Sequence, residues 1–347
     1  MSDRIPGDRL LLPACWSRVL VLACLGACDG EPINDHLGWS YPLDGTLTFA
    51  DLQALGTHNS YHVEPEGNEV PEWDYTMSPL DVQLGVEGVR QFELDVYAAD
   101  DELLVMHVPF LDQVSTCASL QDCLVPLRSW SERNQAHHPV FVLIELKTTY
   151  QESEGAATLT RLDETLEAGL GGLLITPDGV QGSSSSLQEA VEQQGWPTLG
   201  ALRGRYLFVL HDSGEWRDAY TEGGTTTAGR SMFPDGGSEL DLPVGVVHTM
   251  NDPVGQAALI AEAVALGHLV RTRADWDPER TRANDHSSAD AALLSGAHFV
   301  STDYPTPHAD SGYFVKIPGG TPSRCNPLRE AEGCTAEAIE DPAFISP

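Results

Sequence analysis

The sequence predicts an α/β fold of the (β/α)8 TIM-barrel type, built as a single catalytic domain. Three observations lead there. Short β-rich apolar runs alternate with helical stretches, at 52–57, 89–96, 103–108, 140–147, 172–176, 205–211, 244–248, 268–272 and 298–302. Several runs, such as Val140 to Leu146, are continuous rather than alternating, as in parallel sheets buried on both faces. Polar residues then gather at the C-terminal ends of these runs, the face on which barrel active sites lie. A doubly wound sheet shares the alternation, but no Gly-x-Gly-x-x-Gly follows the first strand.

The elements follow in order. Arg4, Arg9 and Arg18 precede the apolar run Val19 to Leu25, the pattern of an export signal too short to span a bilayer as a stable helix. Leu25-Gly26-Ala27-Cys28 resembles the lipobox of bacterial lipoproteins, which implies lipid on Cys28; simple cleavage is the alternative. The chain is thus read as exported, with 1–28 a signal peptide, 29–45 a tether, 46–318 the barrel and 319–347 a C-terminal tail. Helices are predicted at Leu120–Arg133, Ala156–Leu170, Leu187–Gln194, Pro253–Leu266 and Ser287–Leu294, with Asp252 as the N-cap ahead of Pro253. Gly223 to Gly229 and Asp235 to Ser238 read as loop decoration. No internal repeat is evident.

Composition narrows the function. The chain has 347 residues and is 41% hydrophobic, enough for a sizeable core. Its 19 Lys and Arg against 52 Asp and Glu give a formal charge of -33. That excludes nucleic acid as the expected partner. It also disfavours anionic lipid headgroups unless a cation bridges them. Cys15 and Cys24 belong to the signal and Cys28 is read as the lipid-bearing residue, which leaves Cys117, Cys123, Cys325 and Cys334 in two close pairs. An exported chain is expected to join them locally, as Cys117–Cys123 and Cys325–Cys334.

The candidate site begins at His58-Asn59, where the first run ends. Glu93 and Asp95 lie two apart, on one face of a strand. Glu145 and Lys147 close another run in the same way. Asn59, Glu93, Asp95 and Glu145 offer four hard oxygen ligands, suited to Ca2+ or Mg2+. Arginine looks scarce nearby, with Arg90 the only one close in sequence, so a cation is expected to balance the acids. His58 and His107 both end apolar runs and can act as base and acid on either side of a phosphorus. Lys147 is placed to balance charge and hold an anionic substrate group. Arg271, Arg273 and Trp276 are further candidates for phosphate or ring contacts, and Asp303-Tyr304 closes the last run. His62 and His248 are weak substrate-contact candidates. His137, His138, His268, His286, His298 and His308 read as core or surface residues.

Together, His58-Asn59, Glu93-x-Asp95, His107 twelve residues further on, and Glu145-x-Lys147 resemble the phosphatidylinositol-specific phospholipase C superfamily, most nearly its bacterial calcium-dependent branch. The resemblance spans residues 50–305. It implies one Ca2+ held by Asn59, Glu93, Asp95 and Glu145, with His58 as general base on the inositol 2-hydroxyl and His107 as general acid for the leaving glycerol oxygen. It also implies a cyclic inositol phosphate product. Lys147, His62 and Arg273 become the expected substrate-binding residues. The expected partners are a phospholipid or small phosphodiester, and a membrane reached through the lipid anchor, with the protein a monomer. Two alternatives stay open: a glycerophosphodiester phosphodiesterase-like barrel, disfavoured by Asn59-Ser60 where those enzymes carry Arg-Gly, and a non-catalytic lipid-anchored binding protein.

Overall fold

The computed structural model describes residues 39–319, 322–329 and 331–344. The expected signal, with Cys15, Cys24 and Cys28, lies outside these residues. Eleven strands occur among the described residues: β1 Leu52–Thr57, β2 Gln91–Ala99, β3 Glu102–Val105, β4 Val140–Leu146, β5 Leu174–Ile175, β6 Tyr206–Leu210, β7 Phe233–Pro234, β8 Val247–Thr249, β9 Leu269–Arg273, β10 Phe299–Thr302 and β11 Ser323–Cys325. They form one curled, mostly parallel sheet in the order β5-β6-β4-β2-β1-β10-β9-β8. β5 and β7 lie end to end along one edge of β6, opposite Tyr206–Leu207 and Val209–Leu210. A parallel bridge between Asp235 and Val247 then links the β7 side of the sheet to β8. The architecture is TIM-like, with the helices packed outside the curl.

Strand periodicity explains the two layers. Side chains two residues apart share a face. Phe141, Leu143, Leu207, Val209, Phe233, Val247, Leu269 and Phe299 point inward and form one apolar cluster, with Phe141 and Phe299 stacked at 4.3 Å. The intervening residues Phe92, Leu94, Val142, Ile144 and Phe208 face outward. There they pack against Leu120, Leu124 and Leu127 of one helix and Leu159, Leu162 and Leu166 of another. Those helices span Leu120–Arg133 and Glu152–Leu170, the first capped by Ser119 Oγ, which accepts from the Asp122 N–H at 3.2 Å.

The structure departs from the sequence reading at four places. The 103–108 run is not a barrel strand: β3 turns back antiparallel on β2, with Val105 opposite Val96. Its C-terminal end therefore returns to the level of Asp95, whose carbonyl accepts from the Met106 N–H at 3.3 Å. The helix expected from Pro253 starts at Ala257; the Asp252 carboxylate instead closes a turn by accepting from the Val254 and Gly255 N–H groups. β7 and β11 were not predicted, being two and three residues long. β11 pairs antiparallel with the N-terminal half of β1.

Both disulfides form as expected, Cys117–Cys123 and Cys325–Cys334, with Cα–Cα distances of 5.1 and 6.1 Å. The C-terminal segment seals the N-terminal end of the strands. There Glu340, fully buried, accepts from Arg90 Nε at 2.7 Å and from the His138 N–H at 2.9 Å. Residues before the first strand also dock on the body, where Asp44 pairs with Arg203 at 2.7 Å. No helix among the described residues is long and apolar enough to cross a membrane.

Candidate active site

The inward face changes from apolar to polar along each strand. Above Phe141 and Leu143 comes Glu145; above Val209 comes His211; above Leu269 come Arg271 and Arg273; above Phe299 come Ser301 and Asp303. On β2 the same face carries Glu93 and Asp95, and on β1 it ends at His58. The sheet thus closes its own floor with hydrophobes and gathers charge at the C-terminal rim.

His58 follows β1, its N–H donating to the Thr302 carbonyl of β10 at 3.1 Å. Its Nδ1 lies 2.8 Å from Asp303 Oδ1. A carboxylate only accepts, so Nδ1 carries the proton and Nε2 keeps its lone pair. Burial, then the nearby Arg273, lower the His58 pKa and keep the imidazole neutral. Arg273 donates to Asp303 Oδ2 at 2.7 Å and stands 3.4 Å from His58 Nε2. Below them, Asp275 accepts from the Thr302 hydroxyl and the Asp303 N–H; burial and the Asp303 charge push its pKa up to about 7.

His107 reaches the same cleft from the end of β3. Its Nδ1 is 2.8 Å from Asp112 Oδ2, in a tight loop where Val108 and Asp112 exchange backbone hydrogen bonds. His58, Asn59, His107 and Arg273 line one cleft with Trp73, Trp276 and Tyr304. The two histidines therefore share an arrangement, a carboxylate on Nδ1, and both line the cleft, where Arg273 stands at His58 Nε2. Asn59 is buried and its backbone is left-handed, φ 40°, a region asparagine tolerates better than most residues. That turn separates its side chain from His58 and brings it near the Tyr75 hydroxyl, where it opposes the rise in pKa caused by burial.

Glu93, Asp95 and Glu145 come together beside the cleft. Asp95 and Glu145 are register partners across β2 and β4. Lys147 bridges them, 3.1 Å from Asp95 and 2.8 Å from Glu145. It thus serves the acids as an internal counter-ion. Glu93 pairs instead with Arg271, which also donates to Asn251 and, at 3.1 Å, to Ser301. The expectation that arginine is scarce here is corrected: barrel curvature brings β9 across to β2, although 178 residues separate the pair in sequence. Burial alone would raise the Glu93 pKa, but Arg271 outweighs it and holds the group at about 2. Asp95 has only the Lys147 ammonium, which it shares with Glu145. Burial and then Glu145 push the Asp95 pKa up to about 8, and neither oxygen accepts a hydrogen bond of normal geometry. A fully buried carboxylate left this way, between two other acids, fits a cation-binding role.

Two expected substrate contacts move. His62 is fully buried, with Nδ1 2.9 Å from the Tyr75 carbonyl and Nε2 2.9 Å from Asp112 Oδ2; it braces the His107 partner and does not line the cleft. His248 faces outward and stacks on His268, Nε2 to Nδ1 2.9 Å. Arg273 does line the cleft. Sequence reasoning missed His211, Asp235 and Asp112. The first was detectable, since His211 ends the run 205–211 just as Glu145 ends its own. Its Nδ1 is 2.7 Å from Asp235 Oδ2. Burial opposes its charge, but the bond to Asp235 raises its pKa to about 9. Asp235 lies in Gly-rich loop material after a two-residue strand, and Asp112 in a loop with no periodic signal.

The family model for Ca2+-dependent phosphoinositide phospholipase C matches residues 99–327, more than half of the chain. Among solved structures, the chain is similar to the calcium-dependent phosphoinositol-specific phospholipase C of a Pseudomonas species, with 20% identity, 82% of this chain and 97% of that one covered, and a TM-score of 0.60. The Ca2+-dependent enzyme of Streptomyces antibioticus gives 19% identity, coverage of 75% and 95%, and a TM-score of 0.56. The phosphatidylinositol-specific phospholipase C of Listeria monocytogenes gives 15%, coverage of 80% and 93%, and 0.51. At these identities the structures speak for the fold. No curated protein matches the chain. The family match and the shared fold place the sequence: it belongs to the Ca2+-dependent phosphoinositide phospholipase C family.

Proposed function

We propose that the chain is an exported phosphoric diester hydrolase that cleaves phosphatidylinositol-like lipids through a cyclic inositol phosphate, with residues 46–318 forming one (β/α)8 catalytic domain. The observation that carries this reading is the pair of carboxylate-held histidines, His58–Asp303 and His107–Asp112, which line one cleft. His58 Nε2 takes the proton of the attacking hydroxyl, and Asp303 holds Nδ1–H and steadies the imidazolium that forms. His107 gives its proton to the departing glycerol oxygen, with Asp112 fixing its ring. Each transfer contributes roughly 10²–10⁴-fold in rate. Arg273, already oriented by Asp303, is placed to hold a phosphoryl oxygen.

Asn59, Glu93, Asp95 and Glu145 are the residues that would hold Ca2+. Bound there, the ion would lower the pKa of the attacking hydroxyl and offset charge on the phosphoryl oxygens. The exposed rim supports a lipid substrate. Phe110 and Leu111, 93% and 68% exposed, form the tip of the loop that carries Asp112, and Trp276 is exposed beside the cleft. Such apolar side chains are suited to an acyl-chain boundary. A myo-inositol complex exists for the Pseudomonas relative, in keeping with an inositol headgroup here. Residues 1–28 act as the export signal on this reading, with Cys28 as the lipid attachment point.

The test is phosphodiesterase activity on phosphatidylinositol vesicles and on water-soluble glycerophosphodiesters, with and without a calcium chelator, the product identified by phosphorus NMR. Cyclic inositol phosphate formed only with calcium is the expected result. Activity indifferent to chelator overturns the metal assignment. Turnover confined to glycerophosphodiesters overturns the substrate class.

A further inference from the structure

The cation site contains a group that an all-oxygen site would lack. Ligand atoms of Glu93, Glu145 and His211 all lie within 4.8 Å of one another. That spacing lets one ion touch all three at ordinary coordination distances of about 2.0–2.6 Å. His211 comes from the end of β6, next to β4, so it faces the carboxylates from the side opposite β1. We propose that His211 Nε2 is a ligand of the same ion, making this a mixed nitrogen and oxygen site that takes first-row divalent metals such as Mn2+ and Zn2+ as well as Ca2+. The inference rests on the cation-binding reading above.

Three observations support it. Asp235 lies 2.7 Å from Nδ1 of His211, so Nε2 is the nitrogen left for an ion. Asp235 is itself fixed: its Oδ1 accepts from the Gly237 N–H at 2.8 Å and the Thr249 N–H at 2.9 Å. A carboxylate on the far nitrogen is the usual brace of a metal-bound imidazole, setting its tautomer and its orientation. Independently, Asp95 sits opposite Glu145 across β2 and β4, fully buried, with Lys147 3.1 Å away and neither oxygen in a hydrogen bond of normal geometry. The carboxylates suit Ca2+ and Mn2+, and the imidazole adds affinity for Zn2+ and the later first-row ions.

The experiment uses Mn2+ as the probe on the full chain. Titration calorimetry gives the stoichiometry and affinity, and electron spin echo modulation reports any nitrogen bound to the ion. One Mn2+ that Ca2+ displaces, carrying nitrogen modulation that His211→Gln abolishes along with tenfold or more in affinity, is the expected result. Mn2+ bound without nitrogen modulation in the unaltered protein overturns the inference, whatever the variant does. So does modulation that persists in His211→Gln. If neither Mn2+ nor Ca2+ binds, the cation-binding reading itself fails, an outcome distinct from a bound ion without nitrogen.

Discussion

Arg271→Met tests whether the Glu93 pair is a buried counter-ion arrangement into which a metal must fit. Arg271 and Glu93 are 1% and 3% exposed, so water screens neither charge. Removing one member of such a pair leaves the other uncompensated, at about 3–5 kcal/mol. That is a large fraction of the roughly 5–15 kcal/mol that holds a typical domain folded. At about 2 °C per kcal/mol for a body of this size, melting should fall by about 6–10 °C in chelator. Calcium should restore much of the loss, because the variant leaves Glu93 to the ion; a ligand at 100 times its Kd contributes about 2.7 kcal/mol. Arg271 also donates to Asn251 and Ser301, so the pair must be isolated by a double-mutant cycle with Glu93→Gln. The assay is calorimetric melting of four proteins, with chelator and with calcium. A variant melting within 2 °C of the parent in chelator, or a cycle with no coupling energy, refutes the reasoning.

Other predictions follow from the same geometry. Asp303→Asn should lower kcat by roughly 10²–10⁴ while calcium affinity stays within about twofold, since Asp303 is not among the candidate ligands; near-parental kcat removes Asp303 as the brace of His58. Burial holds His137 and His298 neutral, with pKa values lowered to about 3; the unfolded chain takes up protons from pH 6.5 downward that the folded one refuses, so their stabilising effect is complete above pH 6.5 and is lost as pH falls toward 3. Each costs about 1.4 kcal/mol per pH unit in that window. His298→Gln can keep the bonds to the Ala50 carbonyl and Val270 N–H, and should flatten the urea-derived stability slope between pH 6.5 and 5.5 by that amount; an unchanged slope counts against it. Phe110→Ser with Leu111→Ser should weaken vesicle binding at least tenfold, given about 1.5–3 kcal/mol for burying each side chain, and leave turnover of soluble substrates intact. Equal loss on both substrates would mean that the loop acts on His107 rather than on the lipid.

Much of the architecture was legible because strand residues obey a period of two. Continuous runs such as Val140 to Leu146 marked strands buried on both faces, and Leu187–Gln194 and Ser287–Leu294 emerged with their predicted bounds. The strand-end clusters were legible for the same reason: Glu93 and Asp95 must share a face. What stayed hidden depends on closure. Nothing local says that Arg271 meets Glu93, because the contact exists only once the sheet curls. β7 was too short to show a pattern, which concealed Asp235 and so the brace on His211. Asp252-Pro253 carried a helix-start signal, yet the Asp252 side chain is satisfied within its own turn, and the helix begins four residues later.

The site's charge pattern explains why the strands are built as they are. Carboxylates on adjacent strands repel, and an apolar core beneath them cannot screen the repulsion. The fold answers differently on each side. Glu93 receives Arg271 from across the curl, while Asp303 receives Arg273 from the neighbouring strand β10 pairs with. Asp95 and Glu145 share the single ammonium of Lys147. One ammonium between two acids leaves Asp95, the most buried of the acids beside the cleft, with its pKa pushed up to about 8 by burial and by Glu145. On the proposed function, a divalent ion bound there would displace the proton on that carboxyl and complete the balance of charge. In a protein carrying a formal charge of -33, such an ion, together with Arg273 in the cleft, would give the proposed anionic phosphodiester a local reason to approach a surface that otherwise repels it.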